Sequence, residues 1–254
     1  MKAVVLAGGY ATRLRPLTDE VPKPLLPVGG RPILDWILAK IQEVDEVDET
    51  HVVTNSRFAA DFVAWAPPGI IVHDDGTHTN EDRLGAIGDL KYVIDRAGID
   101  DDLLVVAGDN LFDFSLSDYV RFWRAHENAA AVAVYDCGDL ALAAGYGIVS
   151  LDPDDRLTFF VEKPKDPPST LAAIAIYLYS RRQLSLIAEY LAEGNAPDQA
   201  GSLVAWLYPR EPVYGYRFAG EWFDIGDRSQ LLEADNRMRR LHGLPERAEY
   251  SLDP

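Results

Sequence analysis

Five charged side chains stand where glycine, proline or a strand end sets them apart from ordinary surface: Arg13, Lys23, Asp109, Lys163 and Asp224. The first two share the stretch LAGGYATRLRPLTDEVPKPLLPV, residues 6–28. There the apolar run Val4-Val5-Leu6 ends on Gly8-Gly9, a pair that lets the backbone turn tightly and bring its N–H groups close to an anion. Arg13 lies a few residues past the turn, and its planar fork of donors can grip a polyphosphate in two places at once. Lys23 is a second cation, held between Pro22 and Pro24; the proline after it predicts an extended backbone, a stiff strut rather than a helical residue. Taken alone, the glycine pair is also an ordinary strand-ending turn, and neither G-x-G-x-x-G nor G-x-x-x-x-G-K occurs. The two cations beside it favour a phosphate site, with Arg15 either assisting or solvated.

Gly108-Asp109-Asn110 directly follows the apolar run Leu103–Ala107, at the end of a strand where open α/β sheets carry their ligands. It is equally a common turn composition. Glu162-Lys163-Pro164 closes another strand-like run, again with a proline expected to straighten a lysine; read by itself it is a surface ion pair. Trp222-Phe223-Asp224-Ile225-Gly226 places one carboxylate in an apolar stretch, which is costly unless it is paired, bound to a metal or caps the helix expected from Ser229. Tyr146-Gly147 reads as a turn between strands.

The elements that must position these groups are strand-like runs at Ala3–Ala7, His51–Thr54, Ile70–His73 and Leu103–Ala107, separated by helical spacing at Ile33, Leu34, Ile37, Leu38, Ile41 and at Leu84, Ile87, Leu90, Ile94. This alternation predicts βαβ units and a mostly parallel sheet, whose strands are continuous in apolar residues because both faces are buried. From about residue 129 the texture changes to strands at Ala129–Tyr135, Ile148–Leu151, Leu157–Glu162 and Leu171–Leu178, a sheet extension or lid. A helix over Arg181–Glu193, a loop, a strand near Val213–Phe218 and a helix from Ser229 to about Leu241 complete the chain, with a loosely held tail after Gly243. No repeat or low-complexity linker divides the sequence, so 1–254 is expected to fold as one unit with halves of about 1–128 and 129–242.

Of 254 residues, 41 are Asp or Glu and 24 Lys or Arg, a net charge of -17 that argues against a general nucleic-acid or anionic-membrane surface. Any phosphate site must be a local cationic pocket. The scarcity of lysine beside arginine fits a salt-rich cytoplasm and a GC-rich genome equally. Cys137 is alone, which excludes an intrachain disulfide and a thiolate metal cluster. The histidines, His51, His73, His78, His126 and His242, show no ligand spacing and read as structural or surface. The apolar run at the start is too short for a signal peptide and no later run could span a bilayer, so a soluble, cytoplasmic protein is expected.

LAGGYATRLRPLT followed by PKPLLPV resembles the signature of the sugar-1-phosphate nucleotidyltransferases, the family that includes glucose-1-phosphate thymidylyltransferase. The motif order matches to about residue 240. The resemblance implies a Rossmann-like α/β fold, a mostly parallel sheet flanked by helices, with a smaller β-rich sugar-binding extension. It implies transfer of a nucleotidyl group from a nucleoside triphosphate to a sugar 1-phosphate with Mg2+ as cofactor, most simply dTTP or UTP with glucose 1-phosphate. Rival readings are a cytidylyl- or guanylyltransferase acting on another phosphorylated sugar or polyol, a catalytically silent paralogue that senses nucleotide-sugar, and a dinucleotide-dependent enzyme, which the missing glycine motif disfavours.

By the same resemblance Leu6, Ala7, Gly8, Gly9, Thr12, Asn80 and Gly85 bind the nucleotide; Arg13, Lys23 and Lys163 are catalytic; Tyr146, Gly147, Glu162 and Lys163 hold the sugar and its phosphate; and Asp109 and Asp224 hold the metal. Partners are then the two substrates, without nucleic acid or membrane, and self-association is compatible with the family. Two departures stand out. Asn80 precedes Gly85 by five residues, where the family has a base-pairing Gln, and it is equally an N-cap for the next helix. The loop Gly194-Asn195-Ala196-Pro197-Asp198-Gln199-Ala200-Gly201 lacks the family's Arg-Gly-Glu and acidic-Ile-Thr-Asp patterns, so no residue of it is assigned. The extra C-terminal helices that some members use for assembly or regulation are not expected after Leu241.

Overall fold

β1 (Lys2–Leu6) is buried on both faces: Ala3 and Val5 enter one hydrophobic core and Val4 the other, which is why its sequence shows no alternation. The structure, a computed structural model, describes residues 1–253. After β1 the glycine- and proline-rich stretch folds as three tight turns: a 3-10 turn at Thr12–Leu14, the one-turn helix α1 (Leu17–Glu20), and a 3-10 turn at Lys23–Leu25. The extended strut expected at Lys23 is therefore corrected. Lys23 opens a helical turn, and its carbonyl accepts the Leu26 N–H at 3.0 Å while the Pro22 carbonyl accepts the Leu25 N–H at 2.9 Å. Proline is tolerated in a first helical turn, because its missing N–H would have had no partner there.

The hairpin β2 (Pro27–Val28) and β3 (Arg31–Pro32) leads into α2 (Ile33–Ile41). β4 (Glu49–Thr54), α3 (Ala59–Trp65), β5 (Ile70–Asp74), α4 (Ala86–Ala97), β6 (Leu103–Ala107), β7 (Asn110–Phe112) and α5 (Leu116–Ala125) follow. β6, β1, β4 and β5 are parallel neighbours in that order, so the carboxyl ends of β1, β4 and β6 lie along one edge.

The second part comprises β8 (Ala130–Asp136), α6 (Leu140–Ala143), β9 (Gly147–Leu151), β10 (Leu157–Glu162), β11 (Leu171–Tyr179), α7 (Leu184–Ala192), α8 (Ala200–Leu207), β12 (Val213–Arg217), β13 (Trp222–Asp224) and α9 (Arg228–Leu241). It is continuous with the first. The end of β11 pairs antiparallel with β6, its start pairs with β9, and β8 also pairs with it, giving one nine-stranded mixed sheet. β13 pairs with β7 in a separate two-stranded ladder. α2, α3, α5 and α9 cover one face, around Phe62 and Trp123; α4, α7 and α8 cover the other. This is the α/β layering expected from the sequence. α8 occupies ground read as loop, because its segment AGSLVAWL is almost wholly apolar and shows no polar face. Among the described residues no helix is long and apolar enough to cross a membrane.

The tail is held, contrary to the expectation from its polar composition. Arg247 and Asn236 exchange hydrogen bonds of 2.8 and 2.9 Å, and the Tyr250 hydroxyl donates to the Pro27 carbonyl at 2.9 Å. Buried Asp235 accepts the Gly29 N–H at 2.8 Å, and its other oxygen lies 3.8 Å from Arg247. Gly29 has φ +62, and a Cβ there would lie 2.6 Å from the Met238 Cβ. One aspartate thus ties α9, the β2–β3 turn and the tail together. Asp235→Ala should lower stability by about 1–3 kcal/mol, the usual cost of stranding a buried partner. Urea unfolding would show a lower midpoint at an unchanged slope, and limited proteolysis would cut first within 244–253.

Candidate active site

Four loops meet at the carboxyl edge of the parallel strands. Gly108 donates its N–H to the Leu6 carbonyl at 2.8 Å, and fully buried Asn55 donates to the Gly8 carbonyl at 3.0 Å. Gly8 is required by space: a Cβ would lie 2.5 Å from the Asp89 Oδ2. Ala11 adopts the left-handed region at φ +43, held by the Thr18 hydroxyl, which donates to its carbonyl at 2.9 Å. A non-glycine residue there costs about 1–3 kcal/mol, and such strain clusters at ligand sites.

These loops enclose a cavity of about 340 Å³ lined by Leu6, Ala7, Gly8, Gly9, Arg13, Lys23, Gly85 and Asp109, all of which the sequence placed at the site. Thr12 and Asn80 are not brought to it. Thr12 lies exposed in its 3-10 turn, and Asn80 sits in a separate turn with its carbonyl accepting from Arg83. Neither does Asn80 cap α4, whose N-cap is Gly85.

The floor of the cavity is one hydrogen-bonded chain. Lys23, only 8% exposed, donates its Nζ proton to Asp109 Oδ2 at 2.6 Å. Asn110 donates to Asp109 Oδ1 at 2.9 Å, and the Trp222 indole donates to Asn110 Oδ1 at 2.6 Å. Burial pushes the Asp109 carboxyl up, but the Lys23 charge and the bonds from Lys23 and Asn110 outweigh it and hold the group below the usual carboxylate range. Asp224 is the cross-strand partner of Asn110, which sets it beside Asp109. Burial and then the Asp109 charge raise Asp224 despite Lys23, Arg13 and Lys163 nearby. Asp224 has no salt bridge among the described residues. Two neighbouring carboxylates, one of them without a salt bridge, could supply two oxygen ligands to a hard divalent cation, with no third acidic, His or Cys ligand grouped with them among the described residues.

A second cavity of about 410 Å³ lies on the far side of Arg13, which lines both, as do Ala175 and Ala200. Its walls include Asn110, Tyr146, Gly147, Glu162, Lys163 and Asp224. Tyr146 meets Trp222 edge-on at 4.8 Å, and burial followed by the Asp224 and Cys137 charges pushes its hydroxyl up to about 12. Burial also raises Glu162, against the pull of Lys163. Gly147 and Gly201 leave room for Glu162, since a Cβ on either would stand 2.9 Å from its Oε2. Lys163 is not straightened by Pro164. It takes φ +44, with its N–H on the Tyr146 carbonyl at 3.0 Å, so this short turn rather than the proline sets its direction.

Three features escaped the sequence reading. The Pro197 and Asp198 carbonyls accept the first N–H groups of α4, from Ile87 at 2.8 Å and Ala86 at 3.3 Å, so the segment before α8 docks on the wall of the first cavity. Arg83, also on that wall, pairs with Asp198 at 3.0 Å. Asp89 and Asp75 form a buried acid pair behind Gly8. Burial pushes Asp89 up to about 8, with the Asp75 charge and their shared hydrogen bond acting in the same direction; burial raises Asp75 too, against the hydrogen bonds from Thr77. Both shifts act in the direction that favours a proton on the pair. Only the convergence of α4 with the loop after β5 reveals the pair.

Comparison with known proteins adds an independent observation. The family model described as nucleotidyl transferase matches residues 2–240. Curated relatives include "Bifunctional protein GlmU" of Methanocaldococcus jannaschii, 26% identical over 92% of this chain and 53% of its own length. Others are "Putative mannose-1-phosphate guanyltransferase" of Sulfolobus acidocaldarius, 32% identical over 89% of this chain and 60% of its own, and "UTP--glucose-1-phosphate uridylyltransferase" of Synechocystis sp., 29% identical over 89% and 60%. The chain thus spans between about half and three fifths of these relatives' lengths. A crystal structure of a "Putative Glucose-1-Phosphate Thymidylyltransferase" from Bacillus anthracis, in complex with a sucrose, superposes with a TM-score of 0.79 at 26% identity, covering 94% of this chain and 95% of that one.

The acid pair sets a pH dependence of stability. In the unfolded chain Asp89 ionises near 3.8, in the folded protein near 8. Between those values the unfolded state gains by releasing a proton that the native state keeps, so stability falls as pH rises through the window and levels off above it. Asp89→Asn is neutral in both states and removes that loss. Melts from pH 4 to pH 8 should show the variant gaining steadily on the parent as pH rises, and a constant gap would refute the assignment.

Proposed function

The chain belongs to the nucleotidyl transferase family, and from that premise we propose that it transfers a nucleotidyl group from a nucleoside triphosphate to a sugar 1-phosphate, releasing pyrophosphate. The observation that carries the reading is the meeting of two cavities at Arg13, with the Lys23–Asp109 pair in one and Glu162, Lys163 and Asp224 in the other. Two polyanions must be held together, so positioning and electrostatics do most of the work. A sugar-phosphate oxygen attacks the α-phosphorus as the bond to the departing β,γ-phosphates breaks. That oxygen is already ionised, so no general base is needed.

In this reading the nucleotide occupies the Leu6–Gly9 and Gly85 side, contributed by the half over about 1–128. Lys23, fixed by Asp109, meets the α-phosphate and Arg13 the leaving pyrophosphate. The half over about 129–242 holds the sugar against Tyr146, Gly147 and Glu162, while Lys163 holds its phosphate in line. Mg2+ is proposed as the cofactor, with Asp109 and Asp224 as its protein ligands; when bound it would offset charge building on the phosphates. A cytoplasmic setting, where both substrates are made, belongs to the proposal. A pyrimidine triphosphate with glucose 1-phosphate follows from the family resemblance, and Asn80, standing where the family has a Gln, is a departure that leaves the base open; its carbonyl accepts from Arg83 on the cavity wall.

A matrix of triphosphates against sugar 1-phosphates with Mg2+, followed by pyrophosphate release, tests the proposal. Asp109→Asn and Asp224→Asn should each lower turnover by about a hundredfold or more, the scale of losing a fixed electrostatic group. Asp45→Asn, on the exposed loop after α2, should not. Equal losses in all three would sink the metal assignment, and no turnover with any pair would favour a nucleotide-sugar sensor.

A further inference from the structure

Behind the glycine turn lies a run of polar groups that the phosphate chemistry does not use. Asp89 on α4 and Asp75 in the loop after β5 are only 5% and 8% exposed, and both close on Gly8: a Cβ there would stand 2.5 Å from Asp89 Oδ2 and 3.3 Å from Asp75 Oδ2. From Asp75 the bonds continue. Its Oδ1 accepts the Thr77 N–H at 2.7 Å, and Thr77 Oγ1 lies 3.2 Å from the hydroxyl of Tyr10, a buried residue of the same glycine turn. The chain from Asp89 through Asp75 and Thr77 to Tyr10 thus leaves α4, crosses the loop after β5 and returns to the loop after β1, whose Gly8 and Gly9 line the first cavity together with Asp89.

Two carboxylates cannot hold this contact by themselves. An ionised carboxyl only accepts hydrogen bonds, so a bond between two of them needs a proton on one. Nothing else supplies a donor to Asp89: its Oδ1 is buried without a partner, and no cation pairs with it among the described residues. An anion so placed bears the full cost of a buried, unpaired charge, which a neutral carboxyl escapes. The surrounding charges do not relieve it. On the cavity wall Lys23 is taken by Asp109 and Arg83 by Asp198, and Arg13 makes no bond to it. On the far side Asp74 adds a negative charge next to Asp75, and burial keeps the Tyr10 hydroxyl neutral by pushing it up. Burial, and then the Asp75 charge, push Asp89 up to about 8.

We propose that Asp75 and Asp89 are positioning residues of the first cavity: joined through one proton, they latch α4 and the loop after β5 onto Gly8 and so set the backbone that receives an anionic ligand. With the proton gone, two negative charges stand behind that backbone and repel both each other and the ligand. Anion binding and proton retention are therefore coupled, and each strengthens the other. The inference rests on the transferase reading only in taking the ligand to be a phosphate, and it concerns binding rather than turnover.

The test is the affinity of the full chain for inorganic pyrophosphate, without divalent cation, measured by titration calorimetry from pH 6.5 to pH 9.5 on the parent, Asp89→Asn and Asp75→Asn. Pyrophosphate itself titrates in this range, so the quantity read is the ratio of parent to variant affinity at each pH. An amide at either position donates to the remaining carboxylate at every pH, which keeps the latch closed. The parent's affinity relative to either variant should fall by about fivefold to a hundredfold as pH rises through 8, the usual range for coupled sites. Titrations in buffers of different protonation heat should show the parent taking up more proton on binding near pH 8 than the variants do. Two amide variants are used so that a folding defect in one leaves the other to decide. Asp89→Ala makes no such bond and should bind weakly at every pH, which separates a held loop from a change of charge alone. Parallel pH profiles in the parent and both amide variants, or Asp89→Ala binding as Asp89→Asn does, would overturn the inference and leave the transferase reading standing. Proton-coupled pyrophosphate binding in a chain that turns over no pair of substrates would support the inference and overturn the transferase reading; no pyrophosphate binding at any pH would overturn both.

Discussion

A buried lysine paired with a carboxylate 86 residues away holds this molecule's site together. Lys23 Nζ and Asp109 Oδ2 are 2.6 Å apart, and the pair joins the loop after β1 to the loop after β6. Removing one partner would strand a charge in a place where desolvation is expensive, so the two loops are bound to each other energetically as well as in space. From Asp109 the order spreads through Asn110 to the Trp222 indole and so to the β7–β13 ladder, which carries Asp224. Neighbouring strands β1 and β6 make the pair geometrically available, and the 3-10 turn at Lys23–Leu25 aims the lysine.

A net charge of -17 looks ill suited to the phosphate substrates proposed for this protein. The conflict is resolved by distance. At physiological ionic strength surface charges are screened over about 8 Å, so the acidic exterior is weakly felt within a cavity whose own groups are in contact range. Two of the six lysines, Lys23 and Lys163, lie on the two cavities, and Arg13 lies on both. Cations and acids balance in the two linings, with Arg13, Lys23 and Arg83 beside Asp89, Asp109 and Asp198 in the first and Arg13 and Lys163 beside Glu162 and Asp224 in the second, while the chain as a whole is acidic. The position of charge thus says more about the ligand here than its sum.

Most of the layered fold was legible because burial writes directly into sequence: β1 and β6 are uninterrupted runs, and α2 keeps helical spacing. The site was legible where a residue type is unusual for its local setting, as with Arg13, Lys23, Asp109 and Asp224. Legibility stopped where conformation depends on a partner distant in sequence. Proline rules placed Lys23 and Lys163 in extended backbone, yet one opens a 3-10 turn and the other takes φ +44, because the Leu25–Pro22 and Leu26–Lys23 hydrogen bonds and the Tyr146 carbonyl outweigh a local preference. Asp75 and Asp89 carry no signal in either segment alone, and the tail's anchors at Asp235 and Asn236 lie on another element.

The segment before α8 shows why a motif can be missing while the architecture it serves remains. Its side chains do not match the pattern that the rest of the chain resembles, but its positioning contacts are made by backbone. The Pro197 and Asp198 carbonyls cap α4, and Gly201 leaves the space that Glu162 fills. Backbone contacts constrain side-chain identity weakly, so side chains here can change without dismantling either cavity. What such changes alter is the lining: Asp198 pairs with Arg83 on the first cavity, and Gln199 lines the second. A departure from a familiar motif at this place is therefore better read as a change of substrate than as a loss of function. The cluster of Arg13, Lys23, Asp109 and Asp224, to which catalysis is assigned in the proposed function, stands on other elements and does not depend on it.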